Sequence, residues 1–318
     1  MTDLAALGVQ LRRAGLTEGA LLAWSGTRRL SSLPWRLSGL AARPHVPAAT
    51  ALALFVAGAE LGIDHARELP IGDLVEAGLV VRTGDRLRAT VAVLPLEAAL
   101  LVCDRADAPD TENLVCWPDD SSHHLRSAIP PGRRERWIDL ACGSAFAPLA
   151  RPELGAEILC VDLNPRAVWC ARLGAGLSGV RHLAVTEADI GAAHAPAQLV
   201  TCNAPIAGDP DAAVWRRTDR SFFTRMWPAA RACAAPGGEV ITHTTFDAVP
   251  EDLAGEAVTV VYTPPGERAY AITWWRPDAD ARRIVVQREL TTSRPHLDPR
   301  DRDDAMAGAL APHDATAC

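Results

Sequence analysis

From residue 136 onward, short apolar runs alternate with longer segments of helical spacing, and this alternation restricts the fold more than any other feature of the 318-residue chain. Residues 137–140, 157–162, 181–187, 198–203 and 238–244 have the composition of buried strands. Residues 165–177 and 211–233 carry apolar side chains at helical intervals. Strands and helices in turn, joined by short links, predict a parallel sheet covered on both faces. Residues 257–262 and 268–275 flank Thr263-Pro264-Pro265-Gly266-Glu267, which predicts an antiparallel hairpin appended to that sheet. The expected class is α/β with a Rossmann-like sheet.

Residues 1–103 read as a mainly helical N-terminal domain. Residues 2–14 and 47–62 have helical spacing, the latter through Leu52, Phe55, Val56, Ala59 and Leu61. Residues 71–79 predict a helix closed by Gly78, and residues 80–89 two short strands around Gly84-Asp85. Helices followed by such a hairpin suggest a winged-helix-like module. A DNA-reading role would need a basic recognition helix, and residues 70–79 carry only Asp73 and Glu76 as charges. Residues 104–135, with Asp104, Asp107, Asp110, Asp119, Asp120 and several prolines, mark a linker or a segment laid over a site. The second domain spans residues 136–291, and residues 292–318 predict a mobile tail.

Composition excludes several kinds of chemistry. The 32 positions counted as Lys plus Arg are all Arg, so no Schiff-base lysine, no phosphate-binding P-loop lysine and no lysine nucleophile exists. A net charge of −7 disfavours nucleic acid as the main partner. No apolar run reaches the ~18–20 residues of a membrane helix. The first ten residues, with Asp3 and no basic start, do not read as a signal peptide. Eight cysteines without a Cys-x-x-Cys pair predict free thiols in a reducing cytoplasm, and no structural zinc or other metal site.

The chemistry concentrates at Asp139-Leu140-Ala141-Cys142-Gly143-Ser144-Ala145-Phe146, directly after the first strand of the second domain. Asp162, with Leu163 beside it, ends the next strand nineteen positions after Gly143. Strand, small-residue turn and helix aim backbone N–H groups at an open crevice, and the acid on the following strand suits the two hydroxyls of a ribose. A dinucleotide site has G-x-G-x-x-G, because a pyrophosphate needs close backbone approach. Here the pattern is A-x-G-x-A with an acid two residues before it, which suits an adenosine cofactor without phosphate. Asp139 then lies where a cationic amino group would sit. Asp189 and Ile190 follow the third strand, placed for an adenine amino group and ring.

These residues resemble the class I S-adenosylmethionine-dependent methyltransferases, whose first motif is usually D-L-G-C-G-x-G. The resemblance covers roughly residues 119–275. It implies a seven-stranded sheet ending in an antiparallel pair, and S-adenosylmethionine as cofactor. Cofactor contacts would come from Asp139, Ala141, Cys142, Gly143, Ala145, Asp162, Leu163, Asp189, Ile190 and Asn203. Within the class, Val200-Thr201-Cys202-Asn203-Ala204-Pro205-Ile206 is similar to the N-P-P-Y motif of the HemK-like branch. Ser122-His123-His124-Leu125 resembles the S-x-x-L segment of relatives with an N-terminal helical module. That places Ser122, His123, His124, Pro205 and Ile206 toward the methyl acceptor.

Two departures carry expectations of their own. Ala141 and Ala145 replace glycines, and alanine at positive φ costs about 1 kcal/mol or more, so a remodelled turn or a shifted cofactor is expected. Ala204 and Ile206 replace a proline and an aromatic ring. Without that ring to stack on, a flat base or an amide is a poor acceptor, and a small metabolite is expected instead. Asn203 is the candidate for positioning the acceptor. His243, in Ile241-Thr242-His243-Thr244 at the end of a strand, is the candidate base, with His123 and His124 behind it.

Other residues are less specific. Trp117, Trp215, Trp274 and Trp275 could line an aromatic pocket, although packing explains them more simply, and Trp169 and Trp227 are expected in the core. Arg216, Arg217 and Arg220 read as a solvated helix face. The alternatives are a protein-glutamine or rRNA methyltransferase, which calls for a wide basic groove, and a NAD-dependent oxidoreductase, against which the glycine pattern speaks.

Overall fold

The chain begins with α1 (Leu4–Arg13), α2 (Glu18–Ser25) and α3 (Thr50–Phe55). The Asp3 carboxylate caps α1 by accepting the N–H groups of Ala5 and Ala6, and Arg12 and Arg13 stand at its negative end. The computed structural model describes residues 2–28, 30, 33, 49–109, 111, 113–207, 217–218, 221–263 and 268–289. The helix expected over 47–62 is shorter: it stops at Phe55, Gly58 turns the chain at φ +69°, and β1 (Leu61–Gly62) follows. Residues 47 and 48 lie outside the described residues.

Next come α4 (Ile71–Glu76), β2 (Val80–Thr83) and β3 (Arg86–Ala89). Strand β3 lies between β1 and β2 in a three-stranded antiparallel sheet. A second hairpin, β4 (Ala92–Leu96) with β5 (Ala99–Cys103), is buried along its whole length. Residues 104–135 are more than a linker, because they contain α5 (Asp120–Ala128), capped by the Asp119 carboxylate through the Ser121 N–H. Its polar composition hides it from an apolar-periodicity reading.

The second half supplies β6 (Arg134–Leu140), α6 (Phe146–Ala150), β7 (Gly155–Asp162), α7 (Pro165–Ser178), β8 (Leu183–Glu187) and β9 (Ala197–Asn203). After these come β10 (Ile206–Ala207), β11 (Arg217–Thr218), α8 (Ser221–Cys233) and β12 (Ala234–Thr245). The last described strands are β13 (Glu256–Thr263), β14 (Tyr270–Arg276) and β15 (Arg282–Glu289). Helix α8 starts ten residues later than the helix expected from 211, since Arg217–Thr218 pair with β10. Trp215, Arg216, Arg220, the Pro-Gly turn at 264–267 and the tail 292–318 lie outside the described residues.

The central sheet of the described residues has the order β15-β13-β14-β12-β9-β6-β7-β8. Strands β12, β9, β6, β7 and β8 run parallel, and β14 is antiparallel to both its neighbours. This is a Rossmann-like sheet with eight strands rather than seven. The extra edge strand, β15, was not legible because its sequence Arg-Arg-Ile-Val-Val-Gln-Arg-Glu lacks the apolar density of a central strand.

One apolar core runs from α1 through β5 and α7 to Trp137 and Leu199 in the sheet. Packing at its edge is close: a Cβ on Gly8 of α1 would come within 1.8 Å of the Leu177 carbonyl oxygen of α7. The Ser178 hydroxyl accepts the Leu100 N–H at 2.9 Å and further ties α7 to β5. The opposite face of the sheet packs on α8 through Ile138, Leu140, Val200 and Met226. No helix among the described residues is long and apolar enough to cross a membrane.

Candidate active site

A cleft of about 510 Å³ opens at the carboxyl ends of β6, β7 and β9. Sheet order makes it: β6 and β9 are neighbours, and their connections leave on opposite sides of the sheet. One wall is formed by residues 113–116 together with α5, and the other carries Phe222 and Arg225 of α8. Asn113 is held at the rim by the Asn164 side-chain amide, which donates to its carbonyl at 3.0 Å.

The turn between β6 and α6 has three residues at positive φ: Ala141 (50°), Gly143 (53°) and Ala145 (58°). Of the two outcomes expected, a turn remodelled away from positive φ is not the one found. Both alanines keep left-handed backbone in spite of their Cβ atoms. The Cys142 N–H donates to the Val161 carbonyl at 3.0 Å, and the Ala145 N–H to the Cys142 carbonyl at 2.8 Å, so the turn is pinned at both ends. Ala141, Cys142 and Gly143 line the cleft, whereas Ala145 is fully buried behind it.

Asp162 closes β7 beside this turn. One of its oxygens accepts the Gly143 N–H at 2.7 Å and the other the Asn164 N–H at 2.9 Å. Burial pushes its pKa up, and those backbone donors pull it back. Asp139, only 4% exposed, also lines the cleft, and its pKa is pushed up to about 7, first by burial and then by the charge of Asp162. A cation placed between the two acids would restore the ionised form of Asp139.

Asp189 and Ile190 line the cleft beyond β8, with Leu163 on the near rim. Asp189 accepts the Gly191 N–H at 2.9 Å and pairs with Arg225 at 2.7 Å, and both bonds hold its pKa down. Arg225 and Phe222 were missed in the sequence because nothing in their helix pattern marks an inward turn at the start of α8.

Asn203 ends β9 with its side-chain amide donating to the hydroxyls of Ser121 (3.0 Å) and Ser122 (3.2 Å) on α5. Its Oδ1 is buried and accepts no hydrogen bond. Ser122, Asn203, Ala204 and Pro205 line the cleft. The side chain of Ile206 lies outside the described residues.

The three histidines do not line the cleft. His243 is buried, its Nε2 is 2.6 Å from the Tyr262 hydroxyl, and that hydroxyl is 3.3 Å from Nδ1 of His124. The expectation that His243 faces the site fails on its place across the sheet: it shares a face with its register partner Asn203, but lies one strand farther over, where His124 of α5 covers it. His123 packs edge-on against Phe146. The tryptophans pack rather than form a pocket: Trp117 donates to Asp104, Trp274 to Ala128 and Trp275 to Ala254, each through a backbone carbonyl. Trp227 is buried as expected, but Trp169 is 37% exposed, with the Arg166 guanidinium 4.5 Å above its ring.

No protein-family model matches the chain, and no curated protein sequence matches it. Solved structures do. A ribosomal protein L11 methylase from Lactobacillus delbrueckii is 15% identical over 49% of this chain and 77% of its own, with a TM-score of 0.38. A predicted O-methyltransferase from Agrobacterium tumefaciens is 19% identical over 60% and 96%, with a TM-score of 0.42. The tRNA m1G37 methyltransferase of M. jannaschii is 15% identical over 61% and 58%, with a TM-score of 0.43.

Proposed function

We propose that this chain is an S-adenosylmethionine-dependent methyltransferase acting on a small-molecule acceptor. The observation that carries the reading is the pair of carboxylates, Asp139 and Asp162, that face one cleft on either side of the strained β6–α6 turn. Two acids lining one cleft disfavour a pyrophosphate, which speaks against a dinucleotide, and they suit a ligand that joins an ammonium to a ribose. Asp162 keeps lone pairs free for the two ribose hydroxyls. Ile190 supplies an apolar surface for the adenine.

When bound, the sulfonium of that cofactor supplies an already activated methyl group. The protein's remaining task is to hold an acceptor in line and exclude water. The Asn203 amide donates to Ser121 and Ser122, which holds this side chain in place where α5 meets the cleft. Among the charged side chains lining the cleft, Asp119, Asp139, Asp162 and Asp189 stand against Arg225, which is itself paired. That balance favours a neutral or cationic small acceptor over RNA. The N-terminal domain serves here as packing behind the site, since α1 and β5 are docked on α7 and α4 bears only acidic charges. The degenerate N-P-P-Y segment supports kinship with the HemK-like branch in the placement of Asn203 at the end of β9.

Thermal-shift measurements with S-adenosylmethionine, S-adenosylhomocysteine and NAD test the cofactor: the first two are expected to raise the midpoint and NAD to leave it unchanged. A shift with NAD alone would overturn the reading. Turnover of an rRNA adenine or a glutamine-bearing peptide would overturn the choice of acceptor.

A further inference from the structure

We infer that Thr201 and Trp137 are positioning residues that aim Asp139 at the amino-acid end of the cofactor, and so make the cleft prefer nucleosides that carry an ammonium. This rests on the cofactor reading above. Asp139 and Thr201 are partners in the parallel register of β6 and β9, and Trp137 precedes Asp139 by two residues on the same face of β6. Thr201 and Trp137 are fully buried.

The direction of the hydrogen bonds follows from the donor inventory. An indole N–H can only donate, and that of Trp137 donates to Thr201 Oγ1 at 2.8 Å. The hydroxyl proton of Thr201 is therefore free to go the other way, and it is donated to Asp139 Oδ1. Oδ1 is thus fixed as an acceptor in either charge state. Any proton that Asp139 carries sits on Oδ2, the oxygen that receives nothing from the described residues. Oδ2 is where proton and ammonium compete. Without the Thr201 hydroxyl the carboxyl is free to rotate and loses the one donor that favours its ionised form.

The test uses isothermal titration of the full chain with two ligands, S-adenosylhomocysteine and 5′-methylthioadenosine, which share the thioether nucleoside and differ in the amino-acid end. Wild type is expected to prefer S-adenosylhomocysteine. Thr201→Val should lower that preference by about tenfold, the loss of one charge-assisted hydrogen bond, and leave methylthioadenosine binding within about twofold. Thr201→Ser, which keeps the hydroxyl, should restore the preference. An unchanged preference in Thr201→Val, or equal weakening of both ligands, overturns the inference and leaves Thr201 a packing residue. If Thr201→Val does not fold, Trp137→Phe carries the same test, with a lowered preference expected and an unchanged one overturning it. If wild type binds neither ligand, the cofactor reading itself falls, and the inference with it.

Discussion

Asp162 reaches from the end of β7 to the turn after β6, where its carboxylate accepts the Gly143 N–H at 2.7 Å. The same carboxylate is the proposed ribose acceptor, so one residue both shapes the turn and fills it. Asp162→Ala should abolish the thermal shift with S-adenosylhomocysteine and weaken binding at least about 100-fold, the worth of two hydrogen bonds to a charged group. A shift of wild-type size in the variant would remove Asp162 from the ribose.

Asp139 links function to stability through its proton. In the ligand-free fold it holds that proton up to about pH 7, whereas an unfolded aspartate loses it near pH 4. Between those values the native state binds more protons than the unfolded one, so the contribution of Asp139 to stability falls as pH rises and is lost above pH 7. Asp139→Asn keeps an acceptor for Thr201 and removes the titration. Its melting midpoint should exceed that of wild type at pH 8, the gap narrowing toward pH 4.5, while S-adenosylhomocysteine binding falls. A gap independent of pH would show that burial does not load this carboxyl.

Much of the site was legible because strand ends and turns announce themselves. Asp139, Asp162 and Asn203 stand at the carboxyl ends of β6, β7 and β9, whose apolar density marks them as central strands, Gly143 and Asp189 follow β6 and β8 within three residues, and all five line the cleft. Helix α5 was not legible, since its core face reduces to His124, Leu125 and Ala128 amid serines and acids. The wall at 113–116 and the inward turn of Phe222 and Arg225 depend on contacts far away in the chain, which no local period encodes. His243 was misplaced for a related reason: a strand end says where a residue is along the sheet but not which strands flank the opening, and β12, one strand beyond Asn203 on β9, brings His243 under His124 and against the Tyr262 hydroxyl.

Left-handed backbone at Ala141 and Ala145 makes a direct prediction. Each alanine pays a steric penalty that glycine does not, about 1 kcal/mol, offset in part by the entropy glycine loses on folding. Both positions have φ of at least +50°. Ala145→Gly, and separately Ala141→Gly, should therefore be neutral to stabilising by up to about 1 kcal/mol in urea titration, against the usual cost of an alanine-to-glycine change. A loss above about 1 kcal/mol would mean the Cβ atoms contribute packing that outweighs the strain.

Gly8 tests how rigidly the N-terminal domain is docked. A methyl group there meets the Leu177 carbonyl oxygen, a backbone atom that cannot swing aside. Gly8→Ala should separate α1 from α7, lower the melting midpoint by several degrees and expose residues 4–13 to limited proteolysis, although alanine is the better helix former. Helix propensity alone would raise stability, so the sign of the change decides between close packing and loose docking.

Two histidines, His243 buried and His123 half-buried, weaken the fold in acid. Burial pushes His123 and His243 down to about 4, while unfolded histidines protonate near 6.5. Between those values the unfolded state binds more protons, so stability rises with pH and is lost as pH falls from 6.5 toward 4, opposite in sign to Asp139. His123 adds a second cost, because its Nε2 is buried without a partner. His123→Leu removes both and leaves the contact with Phe146 apolar. Urea titrations at pH 5 and pH 7.5 should show the variant closer to its neutral-pH stability than wild type is, with the pH slope reduced by about one proton. An unaltered slope would assign the acid sensitivity to His243 and its neighbours Tyr262 and His124 under α5.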